Sequence, residues 1–247
     1  MPLKTTKFGK ADLHIHSNFS DGQNSIEEIL EFVETKTDLD IIAITDHDTI
    51  EGALLAQKIV KDNNYRFDVI VGEEISTKSG HIVGLFLTRK INPNMTLIET
   101  FKAIKAQNGI SVVPHPFFHT KMRSKDGLIM DGIGLTNIIK HKQFIDAIEE
   151  INATPSLSKE NLQAGFVNNT LLFKAEIGSS DAHIKDIIGK GITLYNGKSA
   201  TDLAKSIKNY QTKAISAHKG ISSMLRYGLF FLPKGLKILF YTFFGKK

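Results

Sequence analysis

Apolar positions along the chain follow two alternating periods. Ile26, Ile29, Leu30 and Val33 recur at helical spacing, whereas Ile41, Ile42, Ala43 and Ile44 form one unbroken apolar run of strand length. The same two patterns recur to the end of the chain. They predict helices over 25–35, 50–62, 96–107, 159–168 and 201–210. They predict strands over 11–16, 40–45, 68–75, 80–87, 110–113, 144–151, 174–177 and 191–194. Gly109 stands where the third helix should stop. Residues 117–134 read as one long polar loop. Strand followed by helix, repeated, argues for α/β architecture with a parallel sheet or barrel. Residues 1–212 are expected to form the barrel. Residues 213–247 read as a basic amphipathic tail and not as a separate domain.

Composition narrows this picture. The 247 residues suit one barrel-type domain, and 41% hydrophobic with 23% charged residues is ordinary for a globular protein. Cysteine is absent, so a bound metal would be held by nitrogen and oxygen. The opening MPLKTTKFGK has no apolar core, which argues against a signal peptide and for a cytoplasmic protein. The net charge of +5 is unevenly spread. After Asp202 there are nine Lys and Arg and no acid, while the remainder carries 22 basic residues against 26 acids. Nucleic-acid binding is therefore not favoured by the overall charge, because the excess belongs to one end.

Histidines and acids gather at the ends of the strand-like runs. His14 and His16 are two apart, which puts both rings on one face of a strand. Asp12 shares that face and is expected to accept a ring N–H from one of them. Asp21 lies in a Ser-Asp-Gly turn. Asp46, His47 and Asp48 follow the apolar run 41–44, with Asp48 placed to cap the next helix. Glu73 and Glu74 are adjacent on a strand, so only one should face a shared site. His81 opens the following strand. His115 is held between Pro114 and Pro116. Asp181 and His183 repeat the spacing of two. Active sites of parallel α/β barrels gather at the carboxyl ends of the strands, where the connecting loops converge. His141 and His218 fall in no motif and read as surface residues.

The stretches DLHIHSNFSDG, ITDHDT, GEEIS, VVPHP, EEIN and GSSDAH resemble the PHP family, the polymerase and histidinol phosphatase superfamily of metal-dependent phosphoesterases. The resemblance runs from Asp12 to His183, and GKGITLYNG is similar to the closing strand of that family. It implies a distorted (β/α)7 barrel of the PHP type, here with a C-terminal amphipathic helical tail. It also implies two or three divalent metal ions at the mouth. By motif, His14, His16, Glu74 and Asp181 would hold one ion. Glu74, His81 and His115 would hold a second, and Asp21, His47 and His183 a third. Glu74 is chosen over Glu73 by the Gly-x-Glu order of the family motif. Mixed imidazole and carboxylate donors suit Mn²⁺, Zn²⁺ or Fe²⁺ and disfavour Ca²⁺.

Clustered ions of this kind suit phosphate-ester hydrolysis, since they lower the pKa of water from ~15.7 towards about 7 and neutralise phosphoryl oxygens. His119 is the candidate proton donor to the leaving group, Arg123 a candidate catalytic and phosphate-binding cation, and Lys121 a second substrate-binding cation. Asn152 is expected to orient a ligand or the substrate. Only 33 residues separate His81 from His115, too few for the helical insertion carried by some relatives that act on nucleotides or short RNA. A small phosphorylated molecule is therefore the expected substrate. Two alternatives stand beside this reading. One is a phosphodiesterase or exonuclease acting on nucleotides or nucleic-acid ends. The other is a non-catalytic, metal-holding adaptor at a membrane surface. In the tail, Leu236, Leu239, Phe240, Phe243 and Phe244 form one apolar stripe after Pro233. Residues 221–247 fit an anionic membrane surface, peripheral to its inner face, and equally fit packing on the barrel or self-association.

Overall fold

Three capping boxes set where helices begin. Ser25, Thr96 and Ser199 each accept a hydrogen bond from the backbone N–H three residues on, where Glu28, Glu99 and Asp202 reach back to the cap. The computed structural model describes residues 8–119, 132–217, 220, 222 and 224–233. Its strands are β1 (Phe8–Ile15), β2 (Ile41–Ile44), β3 (Asp68–Thr77), β4 (Gly80–Leu85), β5 (Ile110–Val113), β6 (Ala147–Asn152), β7 (Ala175–Ser179), β8 (Gly191–Asn196) and β9 (Lys213–Ser216). Its helices are α1 (Ile26–Lys36), α2 (Glu51–Asn63), α3 (Leu97–Lys105), α4 (Gly134–His141), α5 (Ser158–Val167), α6 (Ala200–Lys208) and a last helix, α7, over 224–233. The helix α4 begins inside the stretch expected to be loop. Lys121, Arg123 and the stripe at 236–244 lie outside the described residues.

The strands form one sheet in the order β7-β6-β5-β4-β3-β2-β1-β8-β9. It curls into a nearly closed barrel. Ile15 bridges Ala182, and Thr193 Oγ1 both donates to Gly178 O (2.8 Å) and accepts from Gly178 N (3.1 Å), joining β8 to β7. A side chain at Gly178 would lie 2.3 Å from Ile192 O, so glycine lets β7 and β8 approach. Strands β1 to β3 are parallel, as are β5 to β7, while β4 and β8 run antiparallel to their neighbours. Regular βα alternation thus breaks at the β3–β4 hairpin and at β8. β9 continues the same sheet through Ser216.

Alternation along each strand divides the apolar residues into two sets. Ala11, Leu13, Ile41, Ala43, Ile70, Val83, Leu85, Val112, Ala147 and Ile177 pack with Tyr195 and with Leu203 and Ile207 of α6. Ile42, Ile44, Val69, Val71 and Ile148 pack instead against helices α1, α2 and α3 and the segments beyond them. On the parallel strands, the first set lies ahead of the carboxyl-terminal polar residues. Further along the same faces, the apolar residues give way to the histidines and acids.

Candidate metal centre

Strand parity decides which polar groups converge. Glu74 lies four residues beyond Ile70, and Glu149 two beyond Ala147, so each shares the face of that apolar neighbour. His81 lies two before Val83 on β4. Because β4 is antiparallel, its first residues meet the carboxyl end of β3, where Ser76 pairs with His81. Glu73 has the other parity: its Oε2 accepts from Ile91 N at 2.8 Å, away from the cluster. A register shift between Asp12 and Ile15 breaks the parity of β1. His14 therefore enters the cluster while Asp12 does not. Asp12 accepts instead from Ser180 N (2.9 Å) and Gly189 N (2.7 Å), tying β1 to the segments on either side of the 181–183 motif. The expectation that Asp12 supports a histidine ring is corrected: a bulge had intervened. Asp48 likewise does not cap α2; it accepts from Ser76 N at 2.7 Å, and α2 has no side-chain cap.

The nine expected ligands come together. Glu74 is central. Its Oε2 lies 3.0 Å from His14 Nε2, 3.2 Å from His16 Nε2 and 3.5 Å from His47 Nδ1, while Oε1 lies 2.9 Å from His81 Nδ1 and 3.0 Å from His115 Nε2. Asp181 Oδ1 is 3.2 Å from His16 Nε2 and 3.5 Å from His14 Nε2. Asp21 Oδ1 is 3.1 Å from His183 Nε2, 3.8 Å from His16 Nδ1 and 3.9 Å from His47 Nε2. Three donor groups result: His14, His16, Glu74 and Asp181; His47, Glu74 and His81; and His16, Asp21, His47 and His183. His47 thus also faces Glu74, and His16 also faces Asp21. Only His47 and Asp21 keep appreciable exposure, 21% of each side chain, and so mark the entrance.

These donors fit divalent ions. Two ligands about 2.1 Å from a common ion stand about 3.0–3.4 Å apart at right to tetrahedral angles, close to the spacings around Glu74 and Asp181. His16 Nε2, His81 Nδ1 and His183 Nε2 are buried and form no hydrogen bond among the described residues, although each faces a carboxylate oxygen. A nitrogen this close to an acid, but not aligned to donate to it, suits a shared cation. Electrostatics agree. Burial would push Glu74 up, yet His47, His14 and His81 outweigh it and hold Glu74 well below the usual carboxylate range. Asp181 is held low in the same way, by His14 and His16 against burial. Burial opposes charge on His16, but Asp181 and Glu74 raise its pKa to about 10. Burial pushes His47 down to about 3. Histidines must be deprotonated to ligate, so ion loading at rings whose pKa is raised would release protons.

A further layer of side chains fixes these rings. His14 Nδ1 and Glu149 Oε1 are 3.1 Å apart, which leaves Nε2 free to face Glu74. Glu149 Oε2 accepts from His115 N at 2.6 Å and from Asn152 Nδ2 at 2.9 Å, and Ser179 Oγ donates to Oε1. Asn152 Nδ2 also donates to Asp181 Oδ2 at 3.0 Å, so Oδ1 faces the cluster. Glu149 was missed by sequence reasoning, although its parity with Ala147 is a usable signal. The backbone is strained where the ligands turn inward: His115 and Asp181 have φ of 26° and 52°. Asp46, also unassigned from sequence, accepts from Ser17 N (2.7 Å), Ser17 Oγ (2.6 Å) and Ser20 Oγ (2.7 Å), and so braces the turn that presents Asp21. His119 is exposed, with its ring beside Gly134. His141 is half-buried at the end of α4, its ring 6.1 Å from that of Phe101; His218 lies outside the described residues.

Barrel and donor set together define a protein with His, Asp and Glu clusters able to hold metal ions at the mouth of an α/β barrel. The chain matches the PHP domain over residues 12–222 and belongs to that family. An uncharacterised protein of Methanocaldococcus jannaschii is 40% identical over 119 residues, covering 44% of this chain and 68% of that one. A 5'-3' exoribonuclease of Haemophilus influenzae is 35% identical over 108 residues, covering 42% of this chain and 38% of that enzyme. Among solved structures, a two-domain protein of Bacteroides vulgatus, described as containing a predicted PHP-like metal-dependent phosphoesterase, shares the fold. Its TM-score is 0.64 at 19% identity, over 85% of this chain and 65% of that one.

Proposed function

We propose that this protein hydrolyses a phosphate ester, a small monoester in preference to a diester, using two or three divalent ions (Mn²⁺, Zn²⁺ or Fe²⁺). The observation that carries the reading is Glu74, whose two oxygens are shared among five imidazoles within 3.5 Å. Ions bound there would supply Lewis acidity to the phosphoryl oxygens and would acidify a water to act as nucleophile near neutral pH. His14, His16, Glu74 and Asp181 would hold one ion, His81, His115 and Glu74 a second, and Asp21, His47 and His183 a third. Glu149 fixes the tautomer of His14 and the strained backbone of His115. Asn152 leaves one oxygen of Asp181 for the cluster. Asp21 and His47, the partly open ligands, line the path of the ester. His119 gives a proton to the departing alkoxide, and Lys121 and Arg123 bind the phosphate.

The connection between His81 and His115 holds only the rest of β4, α3 and β5, and α7 lies against His183. Both features favour a small substrate. The exoribonuclease relative favours the second reading, a diesterase acting on nucleotides or nucleic-acid ends. A panel of phosphomonoesters, diesters and short RNA, assayed with Mn²⁺, decides between them. Turnover of monoesters, abolished by His47→Ala and by Asp181→Ala, is expected. Turnover confined to diesters or RNA overturns the monoester preference, and full activity in both variants overturns the site.

A further inference from the structure

The helix α7 has two unlike faces. Tyr227, Phe230 and Phe231 lie towards the barrel: the Tyr227 hydroxyl and Thr154 Oγ1 are 3.3 Å apart, and Phe231 stands edge-on to the His183 ring at 5.4 Å. Leu225, Leu229 and Leu232 recur at i, i+4 and i+7 on the opposite side. They are 64%, 67% and 53% exposed. Gly228, on this outer side, has nothing within 4 Å of a side-chain position. Three large aliphatic side chains in one stripe are more than scattered surface exposure explains. The sequence around them is one-sided in charge: no acid occurs after Asp202, Arg226 lies on α7 itself, and Lys219, Lys234 and Lys237, close by in sequence, lie outside the described residues. Arg226 sits between the faces and pairs with Asp186 at 2.6 Å.

We propose that the leucine face of α7 docks on an anionic lipid surface. Leucines enter the headgroup boundary while flanking cations meet lipid phosphates, the balance of forces that seats an amphipathic helix in the plane of a membrane. A second copy of the chain is a poorer occupant, because pairing two acid-free, basic segments brings like charges together. Among the described residues no helix is long and apolar enough to cross a membrane. An in-plane helix is about 10 Å across. Since its inner face meets the His183 ring, docking places that side of the metal centre about one helix diameter from the lipid.

The test needs no turnover and so stands apart from the catalytic reading. Full-length protein is sedimented with vesicles of phosphatidylcholine alone and of phosphatidylcholine mixed with phosphatidylglycerol, at low and high salt. The triple variant Leu225→Gln, Leu229→Gln, Leu232→Gln is run in parallel, with circular dichroism and thermal melting to show that it folds. Binding to the anionic vesicles at least about tenfold tighter than to neutral ones, weakened by salt and reduced about tenfold or more in the variant, is expected. Three results would each overturn the proposal: no preference of the wild-type protein for anionic vesicles, equal binding by the folded variant, or a wild-type dimer in solution that the variant splits.

Discussion

The two ends of the barrel are filled by opposite means. At the apolar end, Leu13, Ile41 and Val83 pack with Tyr195, Leu203 and Ile207, and closure follows from apolar area alone. At the carboxyl ends, six imidazoles and three acids are packed together, with His115 and Asp181 held at positive φ. Burying such groups is costly unless each charge is compensated. One end therefore stabilises the fold by itself, whereas the other would gain stability from bound cations. The contrast teaches that the ends should respond to different perturbations: the first to lost volume, the second to lost charge and to ion removal.

The sharpest break is Glu74→Gln. The amide keeps the shape but cannot supply a charged oxygen to two donor groups at once. Turnover is expected to fall by about a thousandfold or more, with metal stoichiometry, measured by inductively coupled plasma mass spectrometry, reduced. A variant that retains both full metal content and activity would remove Glu74 from the centre. Next in size, Leu203→Ala at the opposite end should lower unfolding free energy by ~2–5 kcal/mol, read by urea denaturation, while kcat of the folded protein stays unchanged. A matching loss of kcat would show that the ends are coupled. Smaller again, Glu149→Gln should weaken metal affinity by about 10–100-fold, read by competition with a chelating dye, and leave stoichiometry at saturation intact. This separates a positioning carboxylate from a ligand.

Much of this contrast is legible in sequence because burial and chemistry write different patterns. The predicted helix 25–35 is found at Ile26–Lys36, and the predicted strand 110–113 is found as Ile110–Val113. The histidines stand at strand ends, where periodicity alone would locate them. Strand direction is not written in alternation, since β4 and β8 show the same apolar spacing whichever way they run. The bulge in β1 is invisible for the same reason, and it reversed the role assigned to Asp12. Helix α4 was hidden by its length of eight residues and by the polar loop before it. In the tail, the apolar stripe of the sequence begins after Pro233, beyond the described helix over 224–233.

Adjacent residues on β3 sharpen the comparison most finely. Glu74 is held well below the usual carboxylate range, against its burial, by His47, His14 and His81; Glu73, one residue earlier, faces the other way with one backbone donor, Ile91 N, and a second oxygen that has no partner among the described residues. Burial raises the Glu73 pKa to about 7 from an ordinary 4.5. A carboxyl raised on folding binds its proton more tightly in the native state, so its penalty is absent below the unfolded pKa. The penalty grows as pH rises from about 4.5 to about 7 and is constant above that. Glu73→Gln keeps an acceptor for Ile91 N and removes the titration. It should therefore leave stability nearly unchanged at acid pH and raise it at alkaline pH by an amount on the order of 1–3 kcal/mol. Thermal melts of metal-free protein across that range measure the difference. An equal shift at every pH would mean that Glu73 stays charged within the fold, and that the two neighbouring carboxylates differ only in the direction they face.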